Sequence, residues 1–292
     1  MEAVLTLALL GAIGLLAWAV PRWRLRRALA RPLQEGELAL LERNVEQYRA
    51  MDAASRARLE RLVRRFLHEK TFVGCAGLEI TDEMRLTIAG QASLLLMGAR
   101  GDAVYPALNA VLVYPGAFLA PRRQVDAAGV VTEARQDLLG ESWGDGRVIL
   151  SWDHVRRAGM SEPPAHTPSH NVVLHEFAHQ LDSESGATNG APYLGSPERY
   201  RSWAQVLSRD FAALREDAWF GREGVLDHYG AQDPAEFFAV ATEAYFEQPH
   251  RLASRHPELY AEFLKYYRVD PRDWQAPPEE PAWSPGVHGQ WQ

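Results

Sequence analysis

The chain has 292 residues, 47% apolar and 24% charged, with 31 Lys plus Arg against 38 Asp plus Glu and a net charge of −7. These values exclude wholesale disorder, a collagen-like repeat and a multi-span membrane protein, and the acidic balance argues against direct nucleic-acid binding. A single cysteine, Cys75, excludes an intrachain disulfide framework and a Cys-rich metal site, and it reads as a small core residue.

From the N-terminus, Ala3 to Val20 is apolar apart from Thr6. As a helix this run is about 27 Å long, just short of the ~30 Å hydrocarbon core of a bilayer. Trp18 and Trp23 stand at its end, where indole rings favour the interface, and Arg22, Arg24, Arg26 and Arg27 follow. Only Glu2 and the amino terminus precede the run. The positive-inside rule therefore predicts a single-pass anchor in the inner (cytoplasmic) membrane, its C-terminal side in the cytoplasm and its arginines against anionic headgroups. Ala17-Trp18-Ala19 offers a signal-peptide cleavage pattern, but the basic segment such a peptide needs is missing.

Glu37 to Lys70 has helical periodicity. Leu38, Leu41, Val45 and Tyr48 lie on one face and Leu59, Leu62, Val63, Phe66 and Leu67 on another, with a break at Met51-Asp52 and Asp52 as cap. Thr71 to Ile80 is a strand or loop, and Arg85 to Met97 a buried helix. Ala110 to Tyr114 and Val148 to Trp152 read as strands flanking a polar loop or hairpin over Pro121 to Trp143. Ser161 to Ser169 is a Pro-rich linker, which leaves His166 and His170 as solvent-facing side chains. Helices follow over His170 to Asp182, Pro197 to Leu214, Pro234 to Phe246 and Pro257 to Tyr267; the segment from Pro271, with Trp283 and Trp291, suggests no element. Helices, a few strands, then helices make an α+β chain, mostly helical with a small sheet.

The chemistry sits in His175-Glu176-Phe177-Ala178-His179. On a helix, residues i and i+4 share a face, so both imidazoles can meet one zinc ion, and Glu176 can reach water at that metal as general base. Ser169 is the expected N-cap. A catalytic zinc has three protein ligands and one open position. The metzincin pattern needs Gly at 182 and His at 185, where this chain has Asp182 and Ser185. Asp182 could orient a ligand histidine, pair with an arginine or cap the helix. A second candidate helix starts at Asp233-Pro234, and Glu236 and Glu243, seven apart, share its inward face.

Val113-Tyr114-Pro115, Glu141-Ser142-Trp143, Val148 to Trp152, His175 to Asp182 and Asp233 to Glu236 together resemble the Mlc titration factor A family of zinc peptidases, over about Leu33 to Asp270. The resemblance implies a gluzincin-like, zincin-type fold distantly related to the anthrax lethal factor catalytic domain. It also implies Zn2+ on His175, His179 and Glu236, Glu176 as the catalytic base, and Tyr229 as an oxyanion donor. Aminopeptidase activity on peptides and binding of a transcriptional repressor, Mlc, are the activities it implies. His228 beside Tyr229 could assist at the oxyanion but reads first as a surface loop residue. The expected organisation is an anchor with basic flank over 1–27, a zinc peptidase domain over 33–270 and a Pro/Trp-rich tail over 271–292. The alternative function is a regulatory protein that sequesters a repressor, its zinc site secondary.

Overall fold

The computed structural model describes residues 1–125, 131–138, 140–143, 146–158 and 171–277. Its first helix, α1 (Glu2–Ala30), continues through Pro21. It is the one helix among the described residues long and apolar enough to cross a membrane, and none of its apolar window is buried. Leu5, Leu9, Ile13 and Leu16 all face outward. The Arg22 guanidinium lies 4.4 Å from the Trp18 ring and that of Arg27 5.4 Å from Trp23. Among the described residues its far end meets the rest of the chain: Leu25, Ala28 and Leu29 are half-buried, and Arg64 donates to the Arg31 carbonyl at 3.2 Å.

The expected helical face divides among α2 (Glu35–Asn44), α3 (Glu46–Ala50) and α4 (Ala53–Glu69). Asp52 caps α4, accepting from the Ser55 N–H at 2.7 Å. Leu41, Val45, Tyr48, Leu59, Leu62, Val63 and Phe66 are buried, as their periodicity predicts. Against them packs α5 (Asp82–Leu94), buried on all sides from Leu86 to Leu94. The approach is close enough that a Cβ at Gly90 would lie 2.7 Å from Val45 Cγ2.

The main sheet has the order β1 (Thr71–Gly74), β2 (Ala110–Tyr114), β6 (Arg147–Ser151), β5 (Gly140–Trp143). The first three strands are parallel and β5 is antiparallel to β6. Parallel neighbours need a crossover, and α5 supplies the one between β1 and β2. Val111, Val113, Val148 and Leu150 point into the core. Lys70, at the end of α4, buries its ammonium and donates to the carbonyls of Tyr105 and Leu108, both at 2.8 Å. Burial pushes that ammonium below its ordinary pKa.

Several boundaries differ from the sequence reading. β6 ends at Ser151 and Trp152 opens a helix, α6 (Trp152–Ala158). The polar segment forms a hairpin of β3 (Phe118–Val125) and β4 (Val131–Leu138), while β5 joins the main sheet. Cys75 is half-buried beside Tyr114 and not in the core, because it follows β1 in an open turn. The linker 161–169, His166, His170, Trp283 and Trp291 lie outside the described residues.

The helices that carry the chemistry are α7 (Val172–Ser183) and α9 (Pro234–Glu247), flanked by α8 (Pro197–Phe220), α10 (Pro249–Arg255) and α11 (Pro257–Tyr267). α10 and a 3₁₀ turn over Pro271–Trp274 were not foreseen; Trp274 is buried.

Candidate metal centre

α7 starts at Asn171, not Ser169: the Asn171 side chain accepts from the Leu174 N–H at 3.1 Å. Asn171 lies three residues before the donor, the spacing of an N-cap to N3. Val172, Val173, Leu174, Phe177 and Ala178 pack the helix into the core. That places His175 and His179 one turn apart, their ring centroids 4.9 Å from each other. α9 is capped by Asp233, which accepts from the backbone N–H groups of Ala235 and Glu236 at 2.9 and 3.0 Å. Every residue from Glu236 to Phe246 is buried.

Glu236 meets both histidines. Its Oε2 lies 3.0 Å from His175 Nε2 and 3.5 Å from His179 Nε2. Among the described residues these three side chains are the group whose donor atoms converge, all within 4.8 Å of one another. Glu243 takes the other side of the same ring: its Oε1 is 2.7 Å from His175 Nδ1, and its Oε2 accepts from the Asn171 N–H at 2.8 Å. The seven-residue spacing thus puts both carboxylates on His175, one at each ring nitrogen. The Asn171 contact is one the sequence reading did not foresee.

Burial alone would push the Glu236 carboxyl up, but hydrogen bonds and charge from His175 and His179 outweigh it and hold it well below the carboxylate range. Burial likewise pushes His175 down, and its hydrogen bonds to Glu236 and Glu243, with the Glu243 and Glu176 charges, lift it far above the usual imidazole value. A carboxylate on each ring nitrogen requires a proton on each. His175 Nε2 is the ring nitrogen that faces Glu236, the one placed to bind a divalent cation.

The donor set fits such a cation. Bonds of about 2.0–2.2 Å in a tetrahedron separate ligand atoms by roughly 3.3–3.6 Å, close to the 3.0 and 3.5 Å seen here. Two imidazoles and one carboxylate would leave a fourth position open.

Glu176 is buried directly after His175. The Tyr229 ring lies 5.8 Å from that of His175, on a 3₁₀ turn (His228–Ala231) whose cap, Asp227, accepts from the Tyr229 N–H at 2.7 Å. His228 Nε2 lies 3.0 Å from the Arg222 carbonyl, at the edge of a neighbouring cavity. A cavity of about 580 Å³ opens along the same face of α9, lined by Leu226, Val240, Glu243, Ala244 and Glu247 among others. Asp182 is fully buried and pairs with no arginine among the described residues; its Oδ2 accepts from the Gly190 N–H at 2.7 Å.

The sequence profile of the glucose-regulated metallo-peptidase M90 family matches residues 20–268. An uncharacterized protein of Synechocystis sp. is 36% identical over 273 residues, 92% of this chain and 97% of the relative. A protein of Pectobacterium atrosepticum named Mlc titration factor A is 33% identical over 225 residues, 75% of this chain and 82% of its own length. A Yersinia pestis protein of the same name is 28% identical over 252 residues, 85% and 89% of the two chains. The chain belongs to this metallopeptidase family, the one that includes the Mlc titration factor A proteins.

Proposed function

We propose that, as a member of this metallopeptidase family, the chain hydrolyses peptide bonds at a zinc ion held by His175, His179 and Glu236. The observation that supports the reading is the convergence of those three buried donors from α7 and α9. Zinc, when bound, supplies Lewis acidity and brings the pKa of water down toward ~7. The Glu176 carboxylate takes a proton from the attacking water and delivers it to the leaving amine. Glu243 keeps the Nδ1 proton of His175 and so leaves Nε2 free to coordinate. The Tyr229 phenol donates to the oxyanion of the tetrahedral intermediate.

The finer reading is a zincin-type peptidase domain over 33–270, aminopeptidase-like, followed by a tail over 271–292. The anchor over 1–27 holds it at the cytoplasmic face of the inner membrane. Exposed apolar side chains along α1 and the arginines stacked on Trp18 and Trp23 support the anchor. A C-terminal reporter tests the orientation: a periplasmic signal rejects it.

Glu176→Gln tests the chemistry. The amide keeps the shape but cannot accept a proton, so the variant should retain zinc and lose roughly 10²–10⁴-fold in hydrolysis. Near-normal turnover by the zinc-loaded variant rejects the mechanism. Glu236→Ala should lose zinc and hydrolysis together. Free and N-acetylated peptides compared as substrates separate aminopeptidase from endopeptidase action.

A second reading comes from the name of the Pectobacterium and Yersinia relatives: binding of an Mlc-like repressor. If Glu176→Gln abolishes hydrolysis and leaves repressor binding intact, the two roles are separable.

A further inference from the structure

The two histidines of the cluster are not equally supported. His175 Nδ1 rests on Glu243. His179 Nδ1 is buried with no hydrogen-bond partner among the described residues. A histidine that coordinates through Nε2 carries its proton on Nδ1, and that proton needs an acceptor.

One turn further along α7 lies a second orphan. Asp182 is buried, and its Oδ1 also has no hydrogen-bond partner among the described residues. Residues i and i+3 are neighbours on a helix surface, so the two orphaned atoms lie on one side of α7, and they are not hydrogen-bonded to each other here. The backbone N–H groups of Asn189 and Ala191 also favour the ionised carboxyl, and that of Ala191 donates to Asn189 Oδ1 at 3.1 Å. A carboxylate in the last turn of a helix opposes the helix dipole, and this one is desolvated as well.

The other oxygen of Asp182 has a definite task. It holds the Gly190 N–H at 2.7 Å, while the Gly190 carbonyl accepts from Trp203 Nε1 on α8 at 2.8 Å. Gly190 is gripped from both sides, at φ +76°, against the first residue of α9: a Cβ on it would lie 2.2 Å from the Pro234 carbonyl oxygen. Glu236 is two residues beyond Pro234.

We propose that Asp182 is a positioning residue that couples the two ligand-bearing helices. Its Oδ2 sets the start of α9, and with it Glu236, through Gly190; its Oδ1 is the acceptor for the Nδ1 proton of His179 when that ring coordinates through Nε2. This rests on the proposed metal role of His179 and Glu236.

The test compares zinc affinity of the full-length protein, by chelator competition, with Co2+ absorption spectra. In Asp182→Asn the amide oxygen can keep Gly190, but its NH2 then faces the His179 N–H, donor against donor. The variant should bind zinc roughly 10–100-fold more weakly and show an altered Co2+ spectrum. Gly190→Ala should weaken zinc binding through Glu236. Asp210→Asn is the control: Asp210, on α8, is also a buried carboxylate facing a histidine, His256 at 2.8 Å between α10 and α11, and its loss should leave zinc affinity unchanged. Wild-type affinity and spectrum in Asp182→Asn overturn the proposal, as does equal weakening in Asp210→Asn. Failure of the wild type to bind zinc overturns the metal reading beneath it, a different result. If Asp182→Asn does not fold, ¹⁵N-resolved NMR of the zinc-loaded wild type decides. A downfield, exchange-protected Nδ1 proton on His179 supports the assignment, and its absence overturns it.

Discussion

Helices α1 and α9 are both apolar around most of their circumference, and they meet opposite surroundings. In α9 every residue from Glu236 to Phe246 is buried by other helices; in α1 the large apolar side chains from Val4 to Trp18 face outward. The difference that explains this is their polar content. The apolar run of α1 contains one polar residue, Thr6. The buried stretch of α9 carries Glu236, Thr242 and Glu243, each with a specific partner: Glu236 and Glu243 on His175, and Thr242 on the Tyr267 hydroxyl at 2.9 Å. A buried polar group needs a partner that only a folded neighbour supplies. Polar residues within an apolar helix therefore mark it as part of the domain and point to its chemistry. A uniformly apolar helix suits a solvent without hydrogen bonds.

The largest effect that should separate the two helices is on packing. Phe238 is fully buried against Trp203 and Phe263, at centroid distances of 5.8 Å each. Phe238→Ala should cost about 3–5 kcal/mol of unfolding free energy, measured by denaturant titration in detergent. Next comes a charge in α1. Leu10→Arg should raise the free energy of membrane insertion by roughly 2.5–3.5 kcal/mol and shift the protein toward the soluble fraction. An unchanged partition would mean that α1 is not lipid-buried. Glu243→Ala should weaken zinc binding by about 10–100-fold, or roughly 1.4–2.7 kcal/mol, and leave measurable hydrolysis; complete loss of metal would make Glu243 an equal of Glu236. The smallest effect belongs to Leu10→Ala, whose unfolding free energy should stay within about 0.5 kcal/mol of the wild type.

The approach of His175 to His179 is legible because a spacing of four on a helix is a geometric statement. Glu236 and Glu243 were legible as a pair, since seven residues return to the same face, but which nitrogen of His175 each one takes depends on how α9 crosses α7. Asp182 was left open among three roles because its partner is the backbone N–H of Gly190, a group that every residue but proline possesses. The helix start shifted from Ser169 to Asn171 because both are good caps, and only the packing of Val172 and Val173 distinguishes them. Strand existence was readable from β-branched runs, whereas the parallel order of β1, β2 and β6 is a long-range property with no local signature. α10 escaped notice because Pro249 and His256 bracket only one buried leucine, Leu252.

Lys70 has a practical consequence. The chain has two lysines, and Lys70 is enclosed with its ammonium on two backbone carbonyls. Lys265 lies on α11 with its side chain 60% exposed. An amine-directed label applied to the native protein should therefore mark Lys265 and the amino terminus, giving a nearly site-specific handle for fluorophores or surface immobilisation. Slow appearance of a label on Lys70 would time the opening of the seam between α4 and the segment that leads into β2.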